Sequence, residues 1–262
     1  MFDTHIHTNH SSDSKMNIEE VIKVIENKGI GVILTEHLDI NYPDETMFRL
    51  DVEKYFREYE KYRSDKLLLG IEIGFDTGSL SKECFKISEE NPFDYVLGST
   101  HIVNGIDLYE KDFYESESGE VYNIDKVYNE YFEAMLNQIR ENPYFDSLGH
   151  IDYISRYAKR HYNDAEIYYD RYSIEIDKVL REIISMDKSI EINTRRFGDH
   201  TAVKNLYNIY SAYKRLGGKY VTIGSDSHTN DTIGYEYRGA SIMANEIGLN
   251  PIYYKNRKKI NI

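Results

Sequence analysis

Short apolar segments alternate with amphipathic segments along most of this 262-residue chain, and this alternation is what most restricts its fold. The apolar segments have the length of strands, and the amphipathic segments have the spacing of helices. Seven strands are predicted, near residues 2–6, 32–34, 67–73, 93–101, 144–150, 190–193 and 220–224. Strands that alternate with helices form a parallel α/β sheet, and seven or eight such units favour closure into a barrel. No Pro-, Gly- or Ser-rich linker separates the units, which predicts a single domain over residues 1–262.

The connections between the predicted strands are mostly helical. Asn17 is suited to cap a helix that runs to Lys28, where Gly29 ends it. Further helices are predicted over residues 45–63, 79–90, 124–141, 201–215 and 232–247, and another long helix ends near residue 186. The acidic span 104–122 has no clear period and is predicted to be a long loop, of the kind that often forms a lid. The basic tail Lys255–Lys259 is predicted to be solvated.

The composition narrows the class of protein. The net charge of −13 argues against nucleic-acid binding through a broad basic surface, while bound divalent cations would offset part of that charge locally. No run approaches the roughly 18 apolar residues of a membrane span, and no secretory signal precedes the first strand. The single cysteine, Cys84, is expected to be a packing residue, in agreement with a reducing compartment. The sequence therefore predicts a cytoplasmic protein without nucleic-acid or membrane partners.

Histidines and carboxylates recur where the predicted strands end. In the opening segment, His5 and His7 are two residues apart and share one face of the first strand. By itself this pair fits either two exposed polar residues or half of a metal site. Six of the nine histidines occupy strand ends. The strand-end residues are His5, His7, His37, Glu72, His101, His150, Asn193, Asp226 and His228. In a barrel the carboxyl ends of all strands meet at one face, so these side chains are predicted to share one cavity.

So many adjacent polar groups would be costly to bury unless something binds them, and divalent metal ions fit that role. The groups are too numerous for one tetrahedral ion, which predicts two or three ions with Glu72 as a bridging ligand. Nitrogen and oxygen ligands without thiolate suit Zn, Mn or Fe. His161 and His200 are expected to be exposed or capping residues. Glu36 and Asp152 are expected outside the metal set, where each can orient a ligand.

Five motifs, in order along essentially the whole chain, carry a family resemblance. They are His5-Ile6-His7-Thr8, Thr35-Glu36-His37, Gly98-Ser99-Thr100-His101, Gly149-His150-Ile151-Asp152 and Gly224-Ser225-Asp226-Ser227-His228. Together they resemble the PHP superfamily, which is named for its polymerase and histidinol-phosphatase members, and the chain most resembles the monofunctional histidinol-phosphatases. The resemblance implies a distorted (β/α)7 TIM-like barrel with a trinuclear metal site at the carboxyl ends of the strands.

The resemblance also implies how the ligands divide among three ions. The implied sets are His5, His7, Glu72 and Asp226 for the first ion; Glu72, His101 and His150 for the second; and His37 and His228 for the third. The third ion would take one more ligand from the loop after the first strand. Asp13 and His10 are the two alternatives, and the spacing from the His-x-His pair favours Asp13.

The implied chemistry is hydrolysis of a phosphomonoester by a metal-activated hydroxide. Clustered cations hold the dianion and neutralise charge in the transition state, and a water shared by two ions ionises near neutral pH. Glu72, Asp226 and His228 are the predicted catalytic residues, and Asp226 or a nearby histidine would assist the leaving alkoxide. The predicted substrate-binding residues are Arg156, Arg195, Asn193 and His10. In the resembling phosphatases, an arginine shortly after the Gly-His motif contacts phosphate, and that position is Arg156 here.

Three functions compete on the sequence. The first is hydrolysis of L-histidinol phosphate in histidine biosynthesis, and the acids of the span 104–122 would suit a small phosphorylated metabolite that also carries an amine. The second keeps the chemistry but acts on phosphotyrosine or a nucleotide phosphate, of which the negative charge disfavours polynucleotides. The third is a non-catalytic metal-binding module, which an incomplete ligand set would indicate. Because the ligand set is complete, the third function is disfavoured. The predicted function is the first, with the second as the alternative.

Overall fold

A mostly parallel sheet flanked by eight α-helices forms the centre of the molecule in the computed structural model, which describes residues 1–262. The strands are β1 (Phe2–Ile6), β2 (Gly31–Leu38), β3 (Leu67–Gly74), β4 (Tyr95–Ser99), β5 (Ile102–Val103), β6 (Ile106–Asp107), β7 (Ser147–Leu148), β8 (Ser189–Asn193), β9 (Tyr220–Gly224), β10 (Asn250–Lys255) and β11 (Lys258–Asn261). The helices are α1 (Ile18–Lys28), α2 (Val52–Tyr59), α3 (Ser79–Glu90), α4 (Ile124–Glu141), α5 (Ser155–Ala158), α6 (Tyr169–Ser185), α7 (His200–Arg215) and α8 (Tyr237–Ile247). Two short 3₁₀ turns span Glu60–Tyr62 and Lys111–Phe113.

The main sheet keeps chain order. Its strands follow one another as β1-β2-β3-β4-β7-β8-β9-β10-β11, and β5 and β6 form a separate antiparallel hairpin. Every neighbouring pair from β1 to β10 is parallel, while β11 returns antiparallel to β10. The carboxyl ends of the first seven strands of this order therefore lie at the same edge. The register places His37 directly opposite Glu72 on adjacent strands.

The first strand also approaches β9. The amide of Asp226 donates to the His5 carbonyl at 2.8 Å, and the amide of His7 donates to the Ser227 carbonyl at 2.8 Å. One parallel bridge joins Ile6 and Ser227 just beyond the end of β9. These contacts bring the two ends of the strand order together at the edge that carries the histidines. The α/β class and the parallel sheet are confirmed, whereas a continuously closed barrel is not, because the nine-stranded ladder remains open.

The core lies between the sheet and the helices. A single cluster of 60 buried apolar residues fills this space. The first helix shows how local sequence fixes an element, because Asn17 accepts from the amide of Glu20 while the Glu20 side chain accepts from the amide of Asn17. This capping box begins α1 where the sequence predicted it, and Gly29, at φ 66°, ends it in the left-handed conformation. No helix is long and apolar enough to cross a membrane.

The helix predicted over residues 45–63 is wrong in its first part. It begins only at Val52, because the Asp51 side chain caps it by accepting from the amide of Lys54. The residues before Asp51 instead hold the end of β2, where the amide of Asp39 donates to the Phe48 carbonyl at 2.7 Å. These tertiary hydrogen bonds outweigh the helical tendency of the segment and bring it beside the histidine-bearing edge of the sheet.

Two further predicted boundaries differ from the structure. The span 104–122 contains β6 and a 3₁₀ turn, so it is more structured than the predicted loop. The helix predicted from residue 232 starts at Tyr237, since the amide of Gly234 donates to Asp3 Oδ2 at 2.7 Å and both Gly234 and Glu236 have positive φ. A turn tied to a buried carboxylate of β1 therefore replaces the first helical residues.

The predicted solvated tail is wrong, because residues 250–261 form the hairpin β10–β11. Ile252 and Tyr254 alternate with more exposed residues, and both join a small apolar cluster that contains Phe2, Ile33, Leu68, Tyr95 and Leu97. The ring of Phe2 stacks on Tyr253, with centroids 4.1 Å apart. Lys258 is exposed, whereas Lys255 and Lys259 are part-buried and pair with Asp65 and Asp187. The apolar side chains of the hairpin cover the amino-terminal ends of the strands.

Candidate active site

The predicted metal ligands lie together at the carboxyl edge of the sheet. The strands contribute these residues from near their carboxyl ends or from the turns that follow, as in His5, the penultimate residue of β1, and His101, which lies just beyond β4. Most of the predicted ligands are buried. Four groups of three side chains have ligand atoms within 4.8 Å of one another: His7, His37 and His228; His5, Glu72 and His150; His5, His7 and Asp226; and His37, Asp39 and His101. The parallel topology therefore produces the juxtaposition that the sequence predicted.

Glu72 occupies the centre of this cluster and is fully buried. Each carboxylate oxygen faces a different set of imidazole nitrogens. Oε1 lies 2.8 Å from His150 Nε2 and 3.3 Å from His101 Nε2, and it accepts a hydrogen bond from Ser99 Oγ at 2.7 Å. Oε2 lies 3.0 Å from His37 Nδ1, 3.2 Å from His5 Nε2 and 3.5 Å from His7 Nε2. This is the position required of a ligand that bridges two ions.

The first predicted set has the geometry expected around a cation. His5 Nε2 and His7 Nε2 face each other at 3.0 Å, and Asp226 Oδ1 lies 3.9 Å and 3.6 Å from these two nitrogens. Asp226 reaches this position from a backbone with φ 56°, which a non-glycine residue rarely adopts. Lone pairs of buried imidazoles and carboxylates that converge on one point suit a shared metal ion.

Two ring nitrogens support the same interpretation. The buried Nδ1 of His150 has no hydrogen-bond partner. His37 Nδ1 lies 3.0 Å from Glu72 Oε2 but makes no hydrogen bond in that geometry. Buried polar atoms are normally satisfied, so unpaired ring nitrogens next to a buried carboxylate fit residues that serve as metal ligands. The donor set thus fits divalent metal ions.

The third predicted set contains Asp13 in the structure. Asp13 Oδ2 lies 2.8 Å from His228 Nε2 and 3.6 Å from His37 Nε2. His10 lies elsewhere: its Nε2 is 3.1 Å from Glu58 Oε2, and its ring packs edge-on against Tyr59. Of the two alternatives that the sequence left open, the structure therefore brings Asp13, and not His10, to the other ligands.

Opposite charges alternate within the cluster. Burial lowers the pKa of His5 and of His101, but the surrounding carboxylates outweigh it, so that both pKa values lie well above the ordinary histidine value. The same balance raises the pKa of His37 to about 10. Burial and the neighbouring imidazoles lower the pKa of His7, and the histidines hold the pKa of Glu72 well below its usual range despite burial. Cations that bind here would displace protons from the raised histidines.

Several buried groups orient the predicted ligands, and the sequence prediction missed most of them. Asp39 Oδ1 lies 2.7 Å from His101 Nδ1, and Glu191 Oε1 lies 2.7 Å from His5 Nδ1. Glu36 was expected to orient a ligand from outside the metal set. Its Oε2 accepts a hydrogen bond from Ser11 Oγ, and Ser11 Oγ lies 3.3 Å from His7 Nδ1. For Glu191, the alternation of side chains along a strand was the available sequence signal, because Glu191 is two residues before Asn193 and shares its face of β8.

Arginines border the cluster on the side of Asp226. Arg156 donates from Nη1 to Asp226 Oδ2 at 2.6 Å and from Nη2 to Asn193 Oδ1 at 3.1 Å, and its buried Nε has no partner. Arg195 donates to Asp226 Oδ1 at 3.1 Å, and its side chain is 47% exposed. Arg196 instead pairs with Asp152 and Glu166. Although burial raises the pKa of Asp226, the positive charges of Arg156, His5 and Arg195 bring the pKa well below its usual range.

A cavity of about 240 Å³ opens beside the cluster. Three of the proposed metal ligands line it, namely Asp13, His37 and His101. Its walls are largely aromatic and come from Tyr42, Phe48, Tyr109, Tyr153 and Tyr157. Asp39, Asp107 and Met47 complete the lining. The cavity therefore offers flat apolar faces together with carboxylates next to the predicted metal site.

The other singled-out residues lie apart from the cluster. His161 Nδ1 lies 2.7 Å from Glu115 Oε1, and its ring stacks on Tyr114. His200 is the first residue of α7. Cys84 is buried, and burial raises the pKa of its thiol to about 12, as expected of a packing residue. Asp152 pairs with Arg196, which is not a predicted metal ligand, so this pair does not orient one.

The comparisons with known proteins point to one family. The PHP domain family profile matches residues 3–195. A protein of Clostridium acetobutylicum named "Probable histidinol-phosphatase" is 51% identical over 98% of both chains, and the histidinol-phosphatase of Lactococcus lactis is 30% identical over 86% of this chain and 83% of its own.

Solved structures lead to the same family. The crystal structure of histidinol phosphate phosphatase from Lactococcus lactis, complexed with zinc, L-histidinol and phosphate, matches with a TM-score of 0.90 and 27% identity. The match covers 99% of this chain and 98% of that one. A putative histidinol phosphatase from Listeria monocytogenes, at 18% identity, TM-score 0.60 and coverage of 91% and 99%, shares the fold. The resemblance drawn from the five motifs is confirmed, and the chain belongs to the PHP domain family.

Proposed function

We propose that this chain is a metal-dependent phosphomonoesterase that hydrolyses L-histidinol phosphate to L-histidinol and phosphate. The observation that carries the proposal is the gathering of six histidines, Glu72, Asp13 and Asp226 beside a buried arginine and an aromatic, acidic cavity. The named relatives, one of them solved with L-histidinol and phosphate, support the same substrate. The second function weighed on the sequence, hydrolysis of phosphotyrosine or nucleotides, is favoured by no feature of the site.

The metal centre would hold two or three divalent ions. The proposed ligands are His5, His7, Glu72 and Asp226; Glu72, His101 and His150; and Asp13, His37 and His228. The zinc in the Lactococcus lactis structure supports zinc among the proposed Zn, Mn and Fe. When bound, such ions neutralise phosphate charge and make a water acidic enough to attack near neutral pH. The approach of β1 to β9 supports closure of the sheet into the distorted seven-stranded barrel that would hold these ligands in a ring.

Arg156 is the proposed phosphate clamp. Its guanidinium is held at the edge of the cluster by Asp226 and Asn193, and its unpaired Nε leaves hydrogen-bonding capacity for an oxyanion. Arg195 approaches Asp226 from the solvent side and would close the phosphate site there. Asn193 fixes Arg156 through its side-chain oxygen. His10, which contacts Glu58, is not brought into this set.

Asp226 and His228 are proposed to assist the leaving oxygen, which takes up the proton that the attacking water releases. Asp226 has a pKa well below its usual range, so it stays ionised and holds its arginine and histidine neighbours in place. His228 is the more exposed of the two, and its Nε2 contacts Asp13 at 2.8 Å. Glu72, ionised for the same electrostatic reason, would keep the cationic groups on its two sides at a fixed separation.

The cavity beside the cluster suits the rest of the substrate. Histidinol carries a flat imidazole and a primary ammonium. The rings of Tyr109, Tyr153 and Tyr157 provide stacking surfaces for the imidazole, and ammonium groups bind well to carboxylates and to aromatic faces. Asp107 lines the same wall and belongs to β6, within the acidic span from which the sequence predicted an amine contact.

Steady-state kinetics on a substrate panel tests the proposal. The panel contains L-histidinol phosphate, phosphotyrosine, a nucleoside monophosphate and 4-nitrophenyl phosphate, each with protein reconstituted with Zn, Mn or Fe. The proposal predicts the highest kcat/KM for L-histidinol phosphate and loss of activity after metal removal. Comparable kcat/KM values across the panel would reject the substrate, and full activity with fewer than two metal equivalents would reject the multinuclear site.

A further inference from the structure

Glu191 is a fully buried carboxylate that the proposed reaction does not use directly. It lies on β8, and its two oxygens face different parts of the site. Oε1 lies 2.7 Å from His5 Nδ1. Oε2 accepts from the amide of His150 at 2.8 Å and from the side-chain nitrogen of Asn193 at 3.1 Å. One carboxylate thus contacts a proposed ligand of one ion, the backbone of a ligand of another and the residue that holds Arg156.

We propose that Glu191 is a positioning residue that couples the metal centre to the phosphate clamp. It does so by selecting the His5 tautomer that carries its proton on Nδ1 and by fixing the side-chain orientation of Asn193. The metal half of this inference stands on the donor set alone, and the phosphate half rests on the proposed function.

The first coupling runs through the His5 ring. A carboxylate accepts only, so Nδ1 of His5 carries the proton and donates it to Glu191. The lone pair of the neutral ring is then on Nε2, the nitrogen that lies 3.0 Å from His7 Nε2 and 3.2 Å from Glu72 Oε2. A partner on the far nitrogen selects the tautomer and raises the basicity of a ligating histidine.

The second coupling runs through the Asn193 amide. Because Glu191 accepts from Nδ2, the amide oxygen points to the opposite side. That oxygen accepts from Arg156 Nη2 and from the amide of Arg195, both at 3.1 Å. A reversed amide would present its NH₂ group to two donors and lose both contacts. The orientation of Arg156 therefore depends on a carboxylate that it does not touch.

The neighbouring strand provides independent support. A Cβ atom at Gly224 of β9 would overlap both Glu191 Oε1 and the Cβ of His5. The backbone at this glycine is not in the left-handed region, so the reason for glycine is space and not φ. The fold therefore leaves room at this position for the Glu191–His5 pair.

Glu191→Gln separates this role from simple packing. Glutamine keeps the size of the side chain, but one terminal atom becomes an NH₂ donor. If the donor faces His5, the proton moves to Nε2, which no longer binds a metal. If the new NH₂ group faces the other way, it meets two other donors, the amide of His150 and the NH₂ of Asn193. Neither orientation satisfies all three partners.

The main measurement is zinc affinity of the full chain, by competition with a chelating indicator. We expect Glu191→Gln to bind one zinc equivalent about 10- to 100-fold more weakly, as found when such outer partners are removed. Asn193→Ala breaks the second coupling and a longer contact of 3.5 Å to Asp226 Oδ2, but it leaves the Glu191–His5 pair intact. It should therefore retain wild-type zinc affinity and raise KM for the phosphomonoester. Tyr210→Phe is the matched control, because Tyr210 Oη donates to the Glu191 backbone carbonyl at 2.7 Å and leaves the carboxylate intact.

Two outcomes overturn the inference. One is wild-type zinc affinity in Glu191→Gln, and the other is an equal loss in Tyr210→Phe, which would make the effect structural. If Glu191→Gln does not fold, ¹⁵N NMR of the unmodified, zinc-loaded chain tests the same point. The spectrum should show His5 protonated at Nδ1 and bound to zinc through Nε2. Ligation through Nδ1 would refute the inference. If L-histidinol phosphate is not hydrolysed, the KM arm fails with the proposed function, while the zinc and NMR results still decide the metal half.

Discussion

Replacement of Arg156 by lysine tests the proposed phosphate site directly. In the structure the guanidinium donates to Asp226 Oδ2 and Asn193 Oδ1, and its buried Nε has no partner. Lysine keeps the positive charge but replaces the planar fork with a single ammonium, which cannot hold these groups and a phosphate oxygen in the same arrangement. The expected consequence is weaker stabilisation of the phosphate in the transition state.

The size of the effect follows from the contacts that lysine cannot replace. A hydrogen bond to a charged group contributes about 1.5–3 kcal/mol, and the loss of one such bond with part of a second corresponds to about 2–4 kcal/mol. Since about 1.4 kcal/mol is a factor of ten in rate, kcat/KM for L-histidinol phosphate should fall about 30-fold to about 1,000-fold. Bound metal should stay at the wild-type level, because Asp226 Oδ1 still faces His5 and His7.

Kinetics and metal analysis on the same protein sample check this prediction. Arg196→Lys is the matched control, because Arg196 is also largely buried but pairs with Asp152 and Glu166 outside the site. For Arg196→Lys we expect a change in kcat/KM of less than about threefold. An unchanged kcat/KM in Arg156→Lys would refute the phosphate contact. A loss of activity in step with a loss of metal would show instead that Arg156 serves to hold Asp226.

Three further predictions concern other parts of the molecule. Asp107→Asn should raise KM for L-histidinol phosphate about tenfold, because the ammonium group loses about 1.5 kcal/mol of binding free energy. KM for 4-nitrophenyl phosphate, which has no amine, should not change. Equal effects on both substrates would contradict the amine contact. Burial and Asp39 raise the pKa of Asp76 from 3.8 to about 6, so its ionisation costs stability as pH rises through that range. Asp76→Asn should therefore stabilise the metal-free protein by about 2–3 kcal/mol at pH 8 and hardly at pH 4, and urea unfolding with the same gain at both pH values would disprove this. Tyr254→Ala should lower the free energy of unfolding by about 3–5 kcal/mol and Tyr254→Phe by about 1 kcal/mol, whereas similar urea midpoints for the two variants would mean that the ring is not packed.

Features with a local physical cause were predictable from the sequence. The capping box at Asn17 is made within four residues, and α1 begins where it was expected. The strand-to-histidine units were predictable for a related reason, because parallel strands share a direction and their carboxyl ends share an edge. His5, Glu72 and His150 therefore had to approach one another once the strands were identified.

Features that depend on contacts between distant segments were decided only by the tertiary structure. The carboxylate of Asp13 meets His228 across 215 positions, whereas His10 turns toward Glu58 on α2. Strand periodicity places Glu191 on the same face of β8 as Asn193, but only the folded structure shows that Glu191 contacts His5 and that Asp39 contacts His101. The sequence by itself determined the alternation of strands and helices and the positions of most proposed ligands, because period and strand direction are local properties. The loop conformations, the carboxyl-terminal hairpin and the partners behind the ligands depend on which distant side chains share a buried space, and that information exists only in the folded chain.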